Sequence, residues 1–394
     1  MTDMTEEKKI KGNFPNLRFP EFEGEWESLL FDDIATIKGG FAFDAKTLSS
    51  ERRKYQIVKM GNLYQNQLNL DRTPSFIDII DNRQCSFLLK KNDIAITLTG
   101  TNNKRDYGYS YLFKSEDNLL LNQRCALIRA KYDSHFLSYL IKTRCFLEQF
   151  FQSSAGGTGN QANVSTKNIE IFIISVPKRK EQEKIGKFLS LIDERIETQN
   201  KIIEKYESLI KGISDLLLYS KSDSLISAHL GSLCSIKKGE QVNVIELTDT
   251  DSYYVMNGGI LPSGYYPNYN TSADTISISE GGNSCGYVQY NSSKFWSGGH
   301  CYTLNKINKQ IFNKYLYYYL KSQEKNIQAL RVGSGLPNIQ KKDLERLEIQ
   351  FPNYEEQEKI VNILTLFPRK IEIEYSLLSV FQKQKEYLLQ QMFI

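Results

Sequence analysis

Two stretches of this sequence gather hydrogen-bonding side chains at a density that suits recognition. Thr101, Asn102, Asn103, Lys104, Arg105 and Tyr107 follow the strand-like run NDIAITLTGT and place amides, cations and an aromatic ring on one turn. Amides and hydroxyls donate and accept hydrogen bonds without titrating near neutral pH, so such a set holds a ligand and does not by itself make or break bonds. The second stretch, SSAGGTGNQANVS, carries Thr158, Asn160, Gln161 and Asn163, with Lys167 behind it. Its small residues permit close backbone approach to a ligand, although a plain connector has the same composition and no regular structure is expected in it. Shorter counterparts lie further on: Asn283, Ser284 and Tyr287 on one turn, then Ser334 and Asn338 with Lys341 and Lys342 behind. Lys38, Lys59, Lys237 and Lys238 stand near strand ends, where a lysine meets either solvent or an anionic ligand.

Catalytic chemistry has no comparable footing. There is no GxxxxGK[ST] phosphate loop, and the glycine-rich GGTGN lacks the lysine that would reach a nucleotide. No [DN]PP[YFW] methyltransfer motif occurs, no carboxylate pair stands beside a lysine at nuclease spacing, and the Ser, His and Cys positions fit no nucleophilic triad. Cys85, Cys125, Cys145, Cys234, Cys285 and Cys301 show no ligand spacing, and His135, His229 and His300 stand apart from them, so no metal is expected. The net charge of +4 is mild for 394 residues and neither demands nor excludes nucleic acid. No apolar run approaches a membrane span, and MTDMTEEKKIKGN lacks the apolar core of a signal peptide, so a cytoplasmic location is expected. These absences favour a binding protein.

The elements that would position the loops are written twice. EQEKI opens a stretch at Glu181 and again at Glu356, 175 positions later. Both stretches carry apolar residues at alternating four and three spacing, which lays a seam along a helix. The first seam is Ile185, Leu189, Ile192, Ile196, Gln199, Ile203, Tyr206, Ile210, Ile213 and Leu217. The second is Ile360, Leu364, Phe367, Ile371, Glu374, Leu378, Phe381, Lys385, Leu388 and Met392. Each helix would run about 50 Å. A seam this narrow needs a partner, and with a globular body between the copies an antiparallel pair follows. Gln199 and Glu374 would then meet as a polar register pin, and Pro368 must kink or restart the second helix.

The stretches between the helices also correspond. LGSLCSIKKGE answers IATIKGG, TISISEGGN answers IAITLTGTN, and GGHCYTLNKI answers NQRCALIRA. With 24 tyrosines and 21 phenylalanines, sheet-containing bodies are expected. The expected organisation is α+β: an arm at 1–26, a body at 27–178, a spacer helix at 179–221, a second body at 222–353 and a second helix at 354–394. The bodies are mixed α/β, the helices pair as an antiparallel coiled coil, and the whole has an internal two-fold repeat.

The arrangement resembles the specificity subunit of type I restriction and modification enzymes, and the resemblance covers nearly the whole chain. It is carried by the paired P-x3-EQEKI openings at Pro177 and Pro352, the G-[TS]-G loops at 157–159 and 333–335, and RFPEFEGEW at Arg18 to Trp26. The resemblance implies two target recognition domains, each reading one half of a bipartite, asymmetric double-stranded DNA target. It further implies that the helices set the gap between half-sites and dock methyltransferase subunits. About 50 Å of helix is on the scale of one and a half turns of DNA at roughly 34 Å per turn. Catalysis would belong to partners, two methyltransferase subunits using S-adenosylmethionine and two restriction and translocase subunits using ATP and Mg, with no cofactor in this chain and no membrane contact. The loop amides would read base edges and the lysines would hold phosphates. A coiled-coil scaffold whose bodies bind proteins is the alternative, and an autonomous enzyme comes third.

Overall fold

The computed structural model describes residues 12–115, 117–156, 160–219, 225–333 and 337–394. The chain divides into two compact units, one formed by residues 1–200 with 377–394 and the other by 201–376. The same framework is built in both.

In the first unit a four-stranded antiparallel sheet has the order Ala35–Gly39, Cys125–Ala130, Ile94–Thr97, Ser110–Leu112. In the second the order is Ser235–Lys238, Cys301–Asn305, Thr275–Ser279, Val288–Asn291. The central strands Ile94–Thr97 and Thr275–Ser279 are buried along their whole length; the first reads as an apolar run, while the second alternates isoleucine with small hydroxyl residues that are buried too. A two-stranded ribbon brings the ends of each body together: Glu27–Leu30 on Ile173–Val176, and Ile226–His229 on Glu348–Phe351. Each closing strand leads into a helix.

After the sheet strand Cys125–Ala130 come two helices, Ser134–Leu140 and Arg144–Gln152, separated because Thr143 caps the second by accepting from the Phe146 N–H. The glycine stretch is not the irregular connector its composition suggests. Gln161–Asn163 is the central strand of a small antiparallel sheet, pairing with Ala155–Gly156 on one edge and with Thr99–Thr101 on the other. Backbone hydrogen bonds hold this small sheet, and composition says little about those.

The long helix runs over Arg179–Tyr219, 41 residues and about 60 Å. The motif that opens it has a structural reason. Gln182 Nε2 donates to the Pro177 carbonyl at 2.8 Å, and in the second copy Gln357 Nε2 donates to the Pro352 carbonyl at 2.9 Å. Each glutamine thus pins its helix to the strand before it. Arg18 of the arm donates to Glu181 through two bonds, Nε to Oε1 at 2.8 Å and Nη2 to Oε2 at 2.7 Å, and this holds the guanidinium pKa above its ordinary value. Trp26 is buried against Phe136 and Phe393, and Phe19 lies edge-on to both Phe22 and Phe188. Gly186 allows the helix close approach, since a Cβ there would sit 2.7 Å from the Phe136 nitrogen.

The two helices pair antiparallel. In the first unit Leu388 and Met392 share a core with Ile185, Leu189 and Ile192, while Arg195 lies 4.3 Å over the Phe381 ring. In the second unit Val361 and Leu364 share a core with Leu218, and the Tyr375 hydroxyl donates to Glu207 at 2.8 Å. Every seam position of both copies is buried or half-buried. Lys385, the cation in the second seam, is neutralised by Asp193 at 2.6 Å, which also accepts from the Tyr139 hydroxyl at 2.7 Å. Gln199 is buried in the first unit; Glu374 is buried in the second and pairs with Lys370 at 2.7 Å. The second copy is two helices, Tyr354–Leu364 and Leu366–Gln391. Pro368 falls in the first turn of the latter, where a missing N–H removes no helical bond, so the helix restarts there as the proline requires.

Candidate nucleic-acid interface

The structure brings the two amide-rich stretches of the first body side by side. Gln161 stands opposite Thr101 and Asn163 opposite Thr99 in the small sheet, and the Asn102 N–H donates to the Asn160 carbonyl at 2.9 Å. Alternation along the strand buries Ala162 and Val164 and leaves Gln161 and Asn163 exposed. Beyond Thr101 the chain turns through Asn102, Asn103, Lys104 and Arg105, the last at φ 47°. The turn is held by Asp106, whose Oδ1 accepts from the Thr101 N–H at 2.6 Å. Asn103, Lys104 and Arg105 are exposed, and the Arg105 guanidinium rests 5.0 Å over the Phe151 ring.

Not all of the expected residues face outward. Tyr107 is buried at 2% exposure between Phe150 and Phe151, its hydroxyl 3.3 Å from Asn102 Oδ1, so it supports the turn from the core. Thr158 lies outside the described residues. Lys167 is exposed on the short helix Thr166–Glu170. Lys38 is exposed, donates to Ser86 at 2.8 Å and covers the Phe87 ring, whereas Lys59 is half-buried and donates to Ser75. Sequence reasoning passed over Arg124. It is exposed and lines one cleft with Thr101, Asp106, Asn160 and Gln161. The signal was available in the matched NQRCALIRA and GGHCYTLNKI segments, where the residue before each cysteine is Arg124 and His300.

The second body presents a different surface on the same framework. Its turn runs between Gly282 at φ 74° and Gly286 at φ 84°, leaving Asn283 exposed and Ser284 and Tyr287 half-buried. No cation stands on the turn itself; Lys321, from the helix Asn313–Ser322, lies 3.8 Å over the Tyr287 ring. Asn338 is exposed, exchanges two backbone bonds with Val332 and bridges Gly281; Ser334 lies outside the described residues. Lys341 and Lys342 are exposed, with Lys341 3.5 Å from Glu345. Lys237 stands 3.4 Å from Glu240. Lys238 is 2.6 Å from the buried Glu280 and is therefore spent on an internal ion pair. Tyr302 also donates to Glu280 at 3.0 Å, and burial followed by that bond pushes its hydroxyl up to about 12.

The chemistry of both faces is hydrogen bonding and fixed charge. Burial pushes the thiols of Cys125 and Cys234 up to about 12 and that of Cys301 up to about 11, so they are apolar packing groups. Among the described residues no His, Cys, Asp and Glu side chains converge to hold a metal, and no helix is long and apolar enough to cross a membrane.

The model of the type I restriction modification DNA specificity domain matches residues 23–208 and again 227–380. A candidate type I specificity subunit of Mycoplasma genitalium is 38% identical over 159 residues, 40% of this chain and 41% of that protein, so the match spans about two fifths of its length. A candidate type I restriction enzyme MjaX specificity subunit of Methanocaldococcus jannaschii is 22% identical over 414 residues, 95% of this chain and 94% of its own. Among solved structures, the S subunit of a type I restriction-modification system from M. genitalium shares the fold, with a TM-score of 0.63 at 21% identity over 97% of this chain and 99% of that one.

Proposed function

The chain belongs to the family of type I restriction-modification DNA specificity proteins, and from that premise we propose that its two bodies each read one half of a bipartite DNA target. The observation that carries this reading is one framework built twice with unlike faces. The first body offers a turn of Asn103, Lys104 and Arg105 beside Gln161 and Asn163; the second offers Asn283 and Asn338 with its nearby lysines partly engaged by acids. Different donor and acceptor sets on a common scaffold are what two different short sequences require. The paired helices set the separation of the half-sites and dock two methyltransferase subunits on their outer faces. Two restriction and translocase subunits complete the assembly. The chain itself is non-catalytic and holds no cofactor; S-adenosylmethionine, ATP and Mg serve the partners.

Co-expression with the cognate methyltransferase and genome-wide mapping of N6-methyladenine tests the reading. A bipartite motif that appears only with this chain is expected. Methylation unchanged by its removal rejects it, and affinity for duplex that ignores salt would favour a protein-binding scaffold.

A further inference from the structure

Hydrogen bonds that recur in the two bodies define equivalent positions. The Gly40 N–H donates to the Cys125 carbonyl and the Gly239 N–H to the Cys301 carbonyl, each at 2.8 Å. The Leu98 N–H donates to the Arg124 carbonyl and the Glu280 N–H to the His300 carbonyl, each at 2.9 Å. Val164 to Leu98 and Ile339 to Glu280 complete the correspondence. His300 therefore stands where the first body has Arg124, the cation of the cleft shared by Asn160 and Gln161.

Beneath His300 the second body has exchanged apolar residues for polar and charged ones. Leu98 is replaced by Glu280, Ala126 by Tyr302 and Gly39 by Lys238. Glu280 is 9% exposed at its side chain and uses Oε1 for both Lys238 and Tyr302. Its Oε2 is buried without a hydrogen-bond partner, an arrangement that is costly unless something completes it. His300 Nδ1 lies 3.6 Å from that oxygen, on a side chain 61% exposed. We propose that His300 is a DNA contact of the second body, oriented by the buried Glu280 carboxylate, with Nδ1–H turned to Oε2 and Nε2 presented to the DNA.

This rests on the reading of the bodies as DNA readers and adds a property to one of them. The groups around His300 are Glu280, Lys238, which is paired to the other oxygen of that carboxylate at 2.6 Å, and Asn257, whose Oδ1 accepts from the His300 N–H at 3.1 Å. Arg331 stands near Cys285, whose thiol bonds the Glu280 carbonyl. With Nδ1–H committed to Oε2, Nε2 is an acceptor in the neutral ring and a donor in the cation. Histidine changes charge between about pH 5 and 8, whereas arginine stays charged. The phosphate lattice favours the cation, so a protonated His300 holds the second half-site more tightly than a neutral one, whereas the arginine of the first body does not change.

The test uses the full chain with its methyltransferase subunits and a duplex carrying the motif found by methylation mapping, with affinity measured from about pH 5.5 to 8 at constant ionic strength. Wild-type affinity falls as pH rises, by up to about tenfold per unit. His300→Gln binds weakly and without that slope, and His300→Arg binds tightly and without it. Glu280→Gln, which removes the carboxylate that orients the ring, weakens binding toward the level of His300→Gln. Nitrogen NMR follows His300 directly, since the chain has 3 histidines. Wild-type affinity and slope in His300→Gln overturn the inference while the motif, and with it the reading of the bodies, stands. If no motif depends on the chain, both fall.

Discussion

Replacing Arg18 by alanine isolates the contact that fastens the arm to the long helix. Glu181 has a side-chain exposure of 2% and Arg18 one of 16%, and two charge-assisted bonds join them across 163 positions of sequence. The substitution leaves a carboxylate buried without its partner. Breaking buried pairs costs about 3–5 kcal/mol, and the partial opening at the Arg18 end places this one near about 3 kcal/mol. At about 2 kcal/mol per M of urea, the unfolding midpoint of the first unit drops by about 1.5 M. Trp26 reports on that unit, being 3% exposed and in ring contact with Phe136 and Phe393. The other tryptophan, Trp296, belongs to the second unit, so the series is measured in a Trp296→Phe background. The double variant Arg18→Ala with Glu181→Ala recovers part of the loss, because the uncompensated charge is gone. A midpoint shift under about 0.5 M, the scale of a surface ion pair, refutes the account of the arm.

Other consequences follow from individual contacts. Gln357 is fully buried and makes three bonds, accepting from the Phe312 N–H at 2.7 Å and donating to the Gln310 and Pro352 carbonyls, so Gln357→Ala lowers stability in urea by about 2–3 kcal/mol. Gln182→Ala, which loses one bond, costs about 1 kcal/mol. Leu189 is 0% exposed within the seam, and Leu189→Ala costs about 2–5 kcal/mol by the same assay. A thiol reagent under native conditions modifies Cys85 and Cys145 and spares the buried Cys125, Cys234, Cys285 and Cys301 until urea is added, as mass spectrometry of the labelled chain will show.

The long-range plan of the molecule was legible because it is written in period and repetition. A heptad seam survives as a buried stripe whatever packs on it, and the 175-residue offset carries the Gln182 and Gln357 anchors with it. What composition hid was pairing. Ala155–Gly156 and Gln161–Asn163 are too short and too poor in β-formers to announce strands, and their pairing with each other and of Gln161–Asn163 with Thr99–Thr101 decides them. Tyr107 looked like a loop aromatic, but Phe150 and Phe151 offered it a core. Lys238 looked free because Glu280 is 42 positions away. Arg124 and His300 stand before matched cysteines in the sequence, but only the sheet shows that Arg124 reaches the cleft of Asn160 and Gln161.

The central claim is that two unlike faces on one framework read two unlike half-sites, and the most direct measurement of it is a methylation map after exchange of one face. The segments 101–105 and 160–163 of the first body are replaced by those of another specificity protein, and the chain is co-expressed with its methyltransferase. One half of the bipartite N6-methyladenine motif changes, while the other half and the gap stay as they were. A motif unchanged by the exchange, or altered in both halves, contradicts the claim.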